Sequence, residues 1–121
     1  MTEQEAQDLA HHWVAAWNAH DLEAIMSHYD DAVDLISPVA ARLLGTDGRV
    51  VGKSNLREYF QRGLDAYPNL HFELKEGLCG VQSIVLYYTN QNDRRTAESM
   101  ELSSNGKVPR VVANYSAGRN P

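Results

Sequence analysis

The sequence lacks three features that would assign a function class at once: paired cysteines, basic clusters and long apolar runs. Its single cysteine, Cys79, excludes a disulfide within this sequence. Eleven Lys and Arg residues stand against sixteen Asp and Glu residues, a net charge of −5, whereas nucleic-acid binding depends on clustered basic side chains. The basic stretches Arg94-Arg95 and Lys107 with Arg110 are interpreted as solvated hairpin ends. We therefore expect no nucleic-acid partner.

Membrane and secretory patterns are missing as well. No apolar run reaches the roughly 20 residues of a membrane-spanning helix. Residues 1–8 are polar and acidic, unlike the basic start and apolar run of a secretory signal. We expect no membrane partner and a cytoplasmic location. With 43% hydrophobic and 22% charged residues among 121, the composition is typical of one folded domain over residues 1–121, with residues 117–121 expected to fray.

The first half of the chain has helical periodicity. Thr2 and Glu5 form the pattern of a capping box at the start of a helix that runs to about residue 19. Asp21 can cap a second, shorter helix, and Ser54 a third that ends at Pro68. At spacings of three and four, the apolar faces of the three helices comprise Ala6, Leu9, Ala10, Trp13, Ala16 and Trp17, then Leu22, Ile25, Met26 and Tyr29, then Leu56, Tyr59, Phe60 and Leu64.

Strand signals first occur between the second and third helices. Residues 32–37 are predicted to form a strand that Pro38 stops. Residues 39–52 are ambiguous, apart from a turn at Gly45–Gly48 and a two-residue strand at Val50-Val51.

After Asn69 the apolar period changes from 3.6 to two, which predicts a meander of four strands. Breaks are expected at Gly77–Gly80 and at Asn92-Asp93. Asn105-Gly106 favours a type I′ hairpin because both residues tolerate positive φ. The predicted strands cover residues 70–75, 83–91, 95–103 and 107–116. Helices followed by a meander indicate an α+β domain.

Several stretches together resemble the nuclear-transport-factor-2-like superfamily, in its SnoaL-like and ketosteroid-isomerase-like branches. They are WNAHDLEAI at 17–25, YDDAV at 29–33, the stretch from Val51-Gly52-Lys53-Ser54 to Phe60, YPNLHF at 67–72, and the Asn-Gly hairpin before Val111–Tyr115. The resemblance implies a cone-shaped, curved, mixed or antiparallel sheet wrapped on three N-terminal helices (α-α-β-β-α-β-β-β-β) around one pocket. It also implies a sheet-to-sheet homodimer. The fold hosts isomerases, cyclases, hydrolases, dehydratases and non-catalytic binders.

Steroid isomerisation is not expected, because two of the three positions that carry it in ketosteroid isomerases have changed chemical class. The position of the base, directly before the Pro that ends the first strand, is Ser37. The position of the first oxyanion donor is Trp13, which can donate an indole N–H but cannot titrate. The second donor position, two residues before Met100, is Glu98 and keeps its class.

Glu98 is also a candidate catalytic acid or base from the pattern of the neighbouring residues, independently of the resemblance. It shares strand parity with Met100 and Leu102, so we expect it to face the apolar core. Desolvation there should raise the pKa of its carboxyl. The alternative is a rim position, where Glu98 reaches water or pairs with Arg95.

The candidate ligand-binding residues are Trp13, Trp17, Tyr29, Ser37, Tyr59, Phe60 and Met100. The alternative for the aromatic residues is that they only pack in the core. We expect a pocket for a bicyclic or similar apolar molecule, with Ala40–Gly48 as a mobile rim. The histidines show no ligand spacing of a metal site. Proton transfer at carbon needs neither a metal nor an organic cofactor, so we expect none.

Three functions stay open at this point. The chain could be a SnoaL-like isomerase, cyclase or hydrolase that acts on a small hydrophobic molecule, with Glu98 as acid or base and Trp13 as donor. It could instead be a non-catalytic binder of such a molecule, or a dimerising interaction module. A homodimer through the outer sheet face is expected because both faces of strand 83–91 carry apolar bulk, with Val85 and Tyr87 opposite Ile84 and Leu86.

Overall fold

Helices and strands are interleaved along residues 1–117, the part of the chain that the computed structural model describes. Residues 118–121, which include most of the tail expected to fray, lie outside the described residues. The helices of the described part are α1 (Glu3–Asn18), α2 (Leu22–Met26), α3 (Pro38–Leu44) and α4 (Lys53–Ala66). Its strands are β1 (Tyr29–Ile36), β2 (Arg49–Val51), β3 (Glu73–Cys79), β4 (Ser83–Thr89), β5 (Arg95–Glu101) and β6 (Val108–Tyr115).

The strands form one mixed sheet in the order β2-β1-β6-β5-β4-β3. Strand β1 runs parallel to β6, and the other neighbouring pairs are antiparallel. The predicted meander is therefore β3 to β6, and the α+β class with a curved, mostly antiparallel sheet is confirmed. The predicted element order is also confirmed, with one additional short helix, α3, between β1 and β2.

The predicted caps of the first two helices are present. The backbone N–H of Glu5 donates to Oγ1 of Thr2 at 3.1 Å, and the N–H of Thr2 donates to Oε1 of Glu5 at 2.9 Å, which completes the capping box. The side chain of Asp21 caps α2 by accepting from the N–H of Ala24 at 3.1 Å. Helix α2 ends at Met26, however, so the assignment of Tyr29 to its apolar face is wrong. Tyr29 begins β1, because its backbone pairs with Val108 of β6.

Helix α3 occupies the segment that was ambiguous in the sequence. Pro38 stops β1 as expected, but it also opens this helix at the first position, where a missing N–H costs nothing. Ser37 caps it by accepting from the N–H of Val39 at 3.2 Å. Helix α4 begins at Lys53, so the prediction of Ser54 as its cap is wrong. Gly52 occupies the cap position, with φ of 90°.

Gly77 lies inside a continuous strand rather than in a break. Helix α1 crosses β3 at this point, and a Cβ built on Gly77 would lie 3.1 Å from the Cβ of Ala10. The carbonyl of Gly77 also accepts from Nε2 of Gln7 at 2.9 Å. The glycine therefore allows the close approach of helix and strand, and the break comes at Gly80.

The hairpin at Asn105-Gly106 is present, but its turn is not type I′. Only Gly106 has positive φ, 78°, whereas Asn105 does not. The N–H of Gly106 donates to the carbonyl of Ser103, and the N–H of Ser103 donates to the carbonyl of Lys107, both at 2.9 Å. This is the three-residue loop in which a type I turn is followed by a left-handed residue.

The inner face of the sheet carries the core. On β5, Thr96, Glu98 and Met100 are buried, as the strand parity predicts for Glu98 and Met100. On β4 the buried residues are Ile84, Leu86 and Tyr88. Helices α1 and α4 cover this face, and their aromatic side chains meet the sheet where the candidate site lies.

Candidate active site

A cavity of about 100 Å³ lies between the inner sheet face and helices α1, α3 and α4. Its inner part is lined by buried side chains: Trp13, Trp17, Leu35, Ser37, Tyr59, Phe60, Leu70, Tyr88 and Glu98. Its mouth is lined by partly or fully exposed residues: Val39, Arg42, Gly63, Tyr67, Phe72, Asn90, Gln91, Asn92, Arg94 and Tyr115. An apolar cavity of about 150 Å³ accommodates benzene. The bicyclic ligand expected from the sequence is therefore too large for the cavity in this conformation.

Six of the predicted site residues line this cavity: Trp13, Trp17, Ser37, Tyr59, Phe60 and Glu98. The other two, Tyr29 and Met100, are core residues that do not line it. Met100 shares the face of Glu98 but lies two residues farther along the strand, where it pairs with Ile84 and Val111. Tyr29 belongs to β1 and packs against Phe60 at 5.5 Å between ring centroids.

The hydrogen bonding of the two tryptophan N–H groups differs from what the sequence predicted. Nε1 of Trp13 donates to the hydroxyl of Tyr29 at 2.9 Å. The predicted role of Trp13 as a donor to ligand is therefore wrong for this conformation, since its one N–H is already used. The indole N–H of Trp17 is buried and has no hydrogen-bond partner among residues 1–117. Trp17 thus carries the unused donor on α1.

Aromatic rings form one wall of the cavity. Trp13 stacks on Phe72 with ring centroids 5.6 Å apart and planes at 15°. Phe72 in turn contacts Tyr88 at 4.4 Å, and Trp17 meets Phe60 edge-on at 4.8 Å. Such pairs add packing energy beyond the area they bury and hold the rings in place. The wall is therefore a rigid, mostly apolar surface suited to a planar molecule.

Glu98 is the one carboxylic acid that lines the cavity in the described part of the chain. Its Oε2 accepts a hydrogen bond of 2.7 Å from the hydroxyl of Tyr88. Burial raises the pKa of Glu98 to about 7, and the bond from Tyr88 partly opposes this rise. No salt bridge to Glu98 occurs within residues 1–117. The predicted burial of Glu98 is confirmed, and the alternative of a rim pairing with Arg95 is wrong because Arg95 is exposed on the opposite strand face.

Phenols surround this carboxyl group. Burial raises the pKa of Tyr59 to about 12, against a lowering by the Ser37 side chain. Burial also raises the pKa of Tyr88 and of Tyr115, and the charge of Glu98 adds to both shifts. These side chains therefore stay neutral at physiological pH and act as hydrogen-bond donors. Ser37 lies close enough to oppose the pKa rise of both Tyr59 and Tyr115.

Sequence reasoning missed Tyr88, Tyr115, Arg94 and Arg42 as cavity residues. Strand parity was an available signal for the tyrosines, since Tyr88 lies on the same strand face as buried Leu86, and Tyr115 on the same face as buried Ala113. Arg94 lies in the hairpin between β4 and β5 as predicted, but it is only partly exposed rather than solvated. Its Nε and Nη2 both donate to the carbonyl of Ser116, at 3.1 and 2.6 Å, and its guanidinium lies 5.4 Å from the ring centre of Tyr115.

Neither a metal cluster nor a membrane-spanning helix is found in the described part. Residues 1–117 bring together no group of three or more His, Cys, Asp or Glu side chains able to hold a metal ion. None of their helices combines the length and apolar character that crossing a membrane requires.

A mixed sheet closed by helices around a small cavity with one buried acid defines a class of small pocket proteins. The chain belongs to the SnoaL-like domain family, whose model matches residues 10–112. It thereby falls in the nuclear-transport-factor-2-like superfamily that the sequence motifs resemble.

Solved structures agree with this assignment. A SnoaL-like protein of unknown function from Burkholderia thailandensis E264 is 35% identical, with a TM-score of 0.91 and coverage of 97% of this chain and 99% of that one. A candidate isomerase of the SnoaL-like family from Agrobacterium tumefaciens C58 is 14% identical, with a TM-score of 0.76 and coverage of 94% and 99%. TerC, co-crystallised with polyporic acid, is 16% identical, with a TM-score of 0.73 and coverage of 94% and 91%. The last two show a common fold alone. No protein with a curated description matches the sequence.

Proposed function

We propose that the chain is a cofactor-free acid–base enzyme that moves a proton at a carbon atom of a small, mostly apolar molecule. One observation carries the proposal: Glu98 lines the cavity with one oxygen bound by Tyr88, no cation beside it among residues 1–117, and a pKa of about 7. A general acid or base is most effective when its pKa lies near the working pH. At neutral pH Glu98 exists in both forms and can take up a proton and return it.

The two oxygens of Glu98 support different tasks. Oε2 is bound by the phenol of Tyr88, which fixes the orientation of the carboxyl group. Oε1 accepts no hydrogen bond within the described residues and is not among their fully buried unpaired atoms. It is therefore the oxygen able to reach a molecule in the cavity.

A proton shift can be written on these groups without a co-reactant. Oε1 of Glu98 takes a proton from the carbon that lies between a carbonyl and a C=C bond, and the electron pair of that C–H bond passes into a dienolate, whose negative charge is shared between the carbonyl oxygen and the far carbon of the former C=C bond. A neutral phenol such as Tyr59 or Tyr115 donates to the enolate oxygen, which favours the charged intermediate in a cavity of low polarity. Glu98 then returns the proton to another carbon, so that the product is an isomer of the substrate.

Cavity size and family membership narrow the substrate. A volume of about 100 Å³ is smaller than the cavity that holds benzene, so we expect a molecule of no more than about one ring, held against the wall of Trp13, Phe72 and Tyr88 and extending in part into the open mouth. The fold relatives include a candidate isomerase and a protein co-crystallised with polyporic acid. Both support a small-molecule role for the cavity.

The test uses 3-cyclohexen-1-one, a one-ring ketone whose conversion to the conjugated isomer is followed by ultraviolet absorbance. We expect turnover by the native protein and a loss of at least 100-fold in Glu98→Gln, because the amide cannot accept the proton. Glu101→Gln is the matched control, since it makes the same substitution on the exposed outer face of the same strand and should leave turnover unchanged. Absence of turnover and of α-proton exchange in D2O, over a panel of one-ring ketones, would contradict the proposal.

A non-catalytic binder is the competing function, favoured by the aromatic wall, which needs no base to hold a ligand. Binding and turnover separate the two. A one-ring ketone that shifts tryptophan emission, but neither turns over nor exchanges its α-protons, would favour the binder.

We also propose that two copies pair through the outer sheet face. An apolar row crosses this face in register, from Ile36 to Val112, Ser99, Val85 and Leu78. Leu78 is 45% and Ile36 39% exposed, so apolar side chains of this row face solvent in the single chain. A twofold axis brings such a patch against itself, and one pair of charges beside it, Arg110 with Glu101, is already formed within the chain.

A further inference from the structure

Two arginines at the mouth of the cavity have no acidic partner among residues 1–117. Arg94 and Arg42 both line the cavity, and neither makes a salt bridge within residues 1–117. By contrast, arginines that do pair with acids, such as Arg49 with Asp34 and Arg57 with Glu23, lie outside the cavity. In a chain of net charge −5, arginines that pair with no carboxylate of residues 1–117 at the mouth of a mostly apolar cavity need an explanation.

Arg94 is held in place without being neutralised. Its Nε and Nη2 donate to a backbone carbonyl, that of Ser116, and its guanidinium lies over the ring of Tyr115. A carbonyl and an aromatic ring orient the guanidinium but leave its full positive charge. Nη1 makes no hydrogen bond among the described residues, so the remaining donors are free to bind a ligand.

Arg42 has a similar arrangement on a different element at the mouth. It projects from α3 and its Nη2 donates to the hydroxyl of Tyr67 at 2.9 Å. This neutral partner again leaves the charge uncompensated. The two side chains thus come from separate elements, α3 and the loop between β4 and β5.

The positive and negative groups occupy opposite ends of the cavity. Glu98 is buried, while Arg42 is exposed and Arg94 partly exposed. The phenols lie between: the pKa of Tyr59 responds to both Glu98 and Arg42, and that of Tyr115 to both Glu98 and Arg94. Neither arginine affects the pKa of Glu98. A molecule in the cavity therefore meets an acid–base group at its inner end and positive charge at the mouth.

We propose that the ligand is an amphipathic anion, with a ring of apolar character inside the cavity and a carboxylate or similar anionic group bound at the mouth by Arg94, assisted by Arg42. This rests on the proposed function and narrows its substrate class. The orientation is set by charge, because an anionic group placed inward would meet the ionised form of Glu98. Binding by a guanidinium fork also selects planar anions such as carboxylates.

The experiment compares phenylacetate with phenylacetamide, which have nearly the same shape but differ in charge. Binding at pH 7.5 is followed by tryptophan emission and by calorimetry at two salt concentrations. We expect the native protein to bind phenylacetate at least 10-fold more tightly. Arg94→Met should abolish this preference while leaving the affinity for phenylacetamide within twofold, because the methionine keeps the apolar stem over Tyr115.

Two further variants keep the outcome interpretable if Arg94→Met loosens the end of β6. Arg94→Lys restores the charge and should restore at least part of the preference. Arg95→Gln is the matched control, since it removes the same charge one residue away on the exposed outer face and should leave the preference unchanged. Near-ultraviolet circular dichroism checks that each variant is folded.

Each other outcome overturns the proposal. Equal affinities for the two compounds, or equal loss of preference in Arg95→Gln and Arg94→Met, would contradict it and leave the proton-transfer function standing. Failure of both compounds to bind at millimolar concentration, together with no turnover of 3-cyclohexen-1-one, would contradict both.

Discussion

The hydroxyl of Tyr88 on β4 donates a 2.7 Å hydrogen bond to Oε2 of Glu98 on β5. The two residues are diagonal neighbours, since Tyr88 pairs with Thr96 and Glu98 with Leu86 in the register of these strands. Long side chains reach each other across such a diagonal. The bond therefore holds a buried carboxyl group whose ionised form no cation stabilises within the described residues.

Glu98→Gln should make the stability of the protein less dependent on pH. The folded-state pKa of Glu98 is raised from 4.5 to about 7, so its protonation stabilises the fold fully below pH 4.5. That contribution is lost as pH rises through about 7. At 1.36 kcal/mol per pH unit the interval corresponds to about 3 kcal/mol.

Urea unfolding at pH 5 and pH 8 provides the measurement. The variant should lie within about 1 kcal/mol of the native protein at pH 5 and exceed its free energy of unfolding at pH 8 by about 3 kcal/mol. A variant that is less stable than the native protein at pH 8 would show that Glu98 is a stabilising charge instead.

Tyr88→Phe should destabilise the protein more at pH 8 than at pH 5. The bond from Tyr88 lowers the pKa of Glu98, so it is stronger to the ionised carboxylate. A hydrogen bond to a charged group contributes about 1.5–3 kcal/mol, and one between neutral groups about 1 kcal/mol. Tyr87→Phe, which alters a half-buried phenol on the other face of the same strand, is the control. Equal losses at the two pH values would mean that the bond does not respond to the charge of Glu98.

Gly48→Ala should disturb the mouth of the cavity, whereas Gly45→Ala should not. Both glycines have positive φ, 91° and 64°, so both substitutions carry a conformational cost of about 1 kcal/mol. A Cβ on Gly48 would in addition lie 2.7 Å from the carbonyl oxygen of Ser37, while one on Gly45 meets nothing within 4 Å. Thermal unfolding should therefore show a larger loss for Gly48→Ala, together with weaker binding of a one-ring ligand, because Ser37 caps α3. Equal losses would show that the loop adapts without moving Ser37.

Val112→Glu should separate the proposed dimer without unfolding the chain. Val112 lies in the middle of the apolar row, and a twofold axis would bring two new carboxylates into the contact. Sedimentation velocity at micromolar concentration should show a dimer for the native protein and a monomer for the variant. The dissociation constant should rise at least 100-fold, about 3 kcal/mol.

Val81→Glu is the control for this prediction. Val81 is 87% exposed but lies between β3 and β4, away from the row, so the variant should remain dimeric. A native protein that sediments as a monomer would rule out this use of the sheet face.

How much of the structure the sequence could predict depends on how far apart along the chain the interacting residues lie. The inward direction of Glu98 depends on a period of two over a few residues of one strand, and the structure confirms it. The helices and the meander depend on equally local patterns. Pro38 shows the limit of such patterns, because a proline ends a strand and opens a helix with the same fixed φ.

The partners of the site residues depend on distant parts of the chain. The bond between Tyr88 and Glu98 requires the register of β4 against β5, and the N–H of Trp13 meets a hydroxyl sixteen residues away. Arg94 is fixed by the carbonyl of Ser116 at the end of another strand. None of these contacts follows from spacing along one element, which is why the donor role was assigned to Trp13 and Arg94 was placed in solvent.

Titration of the Glu98 carboxyl group measures the property on which the proposed enzyme depends. Carbon-13 labelling of the glutamate carboxyl groups, with Glu98→Gln to assign the signal, allows its pH dependence to be followed by NMR. We expect a midpoint near pH 7, well above the ordinary value of 4.5. A midpoint at or below that ordinary value would mean that Glu98 is fully ionised at neutral pH, and it would contradict the acid–base role on which the proposed function depends.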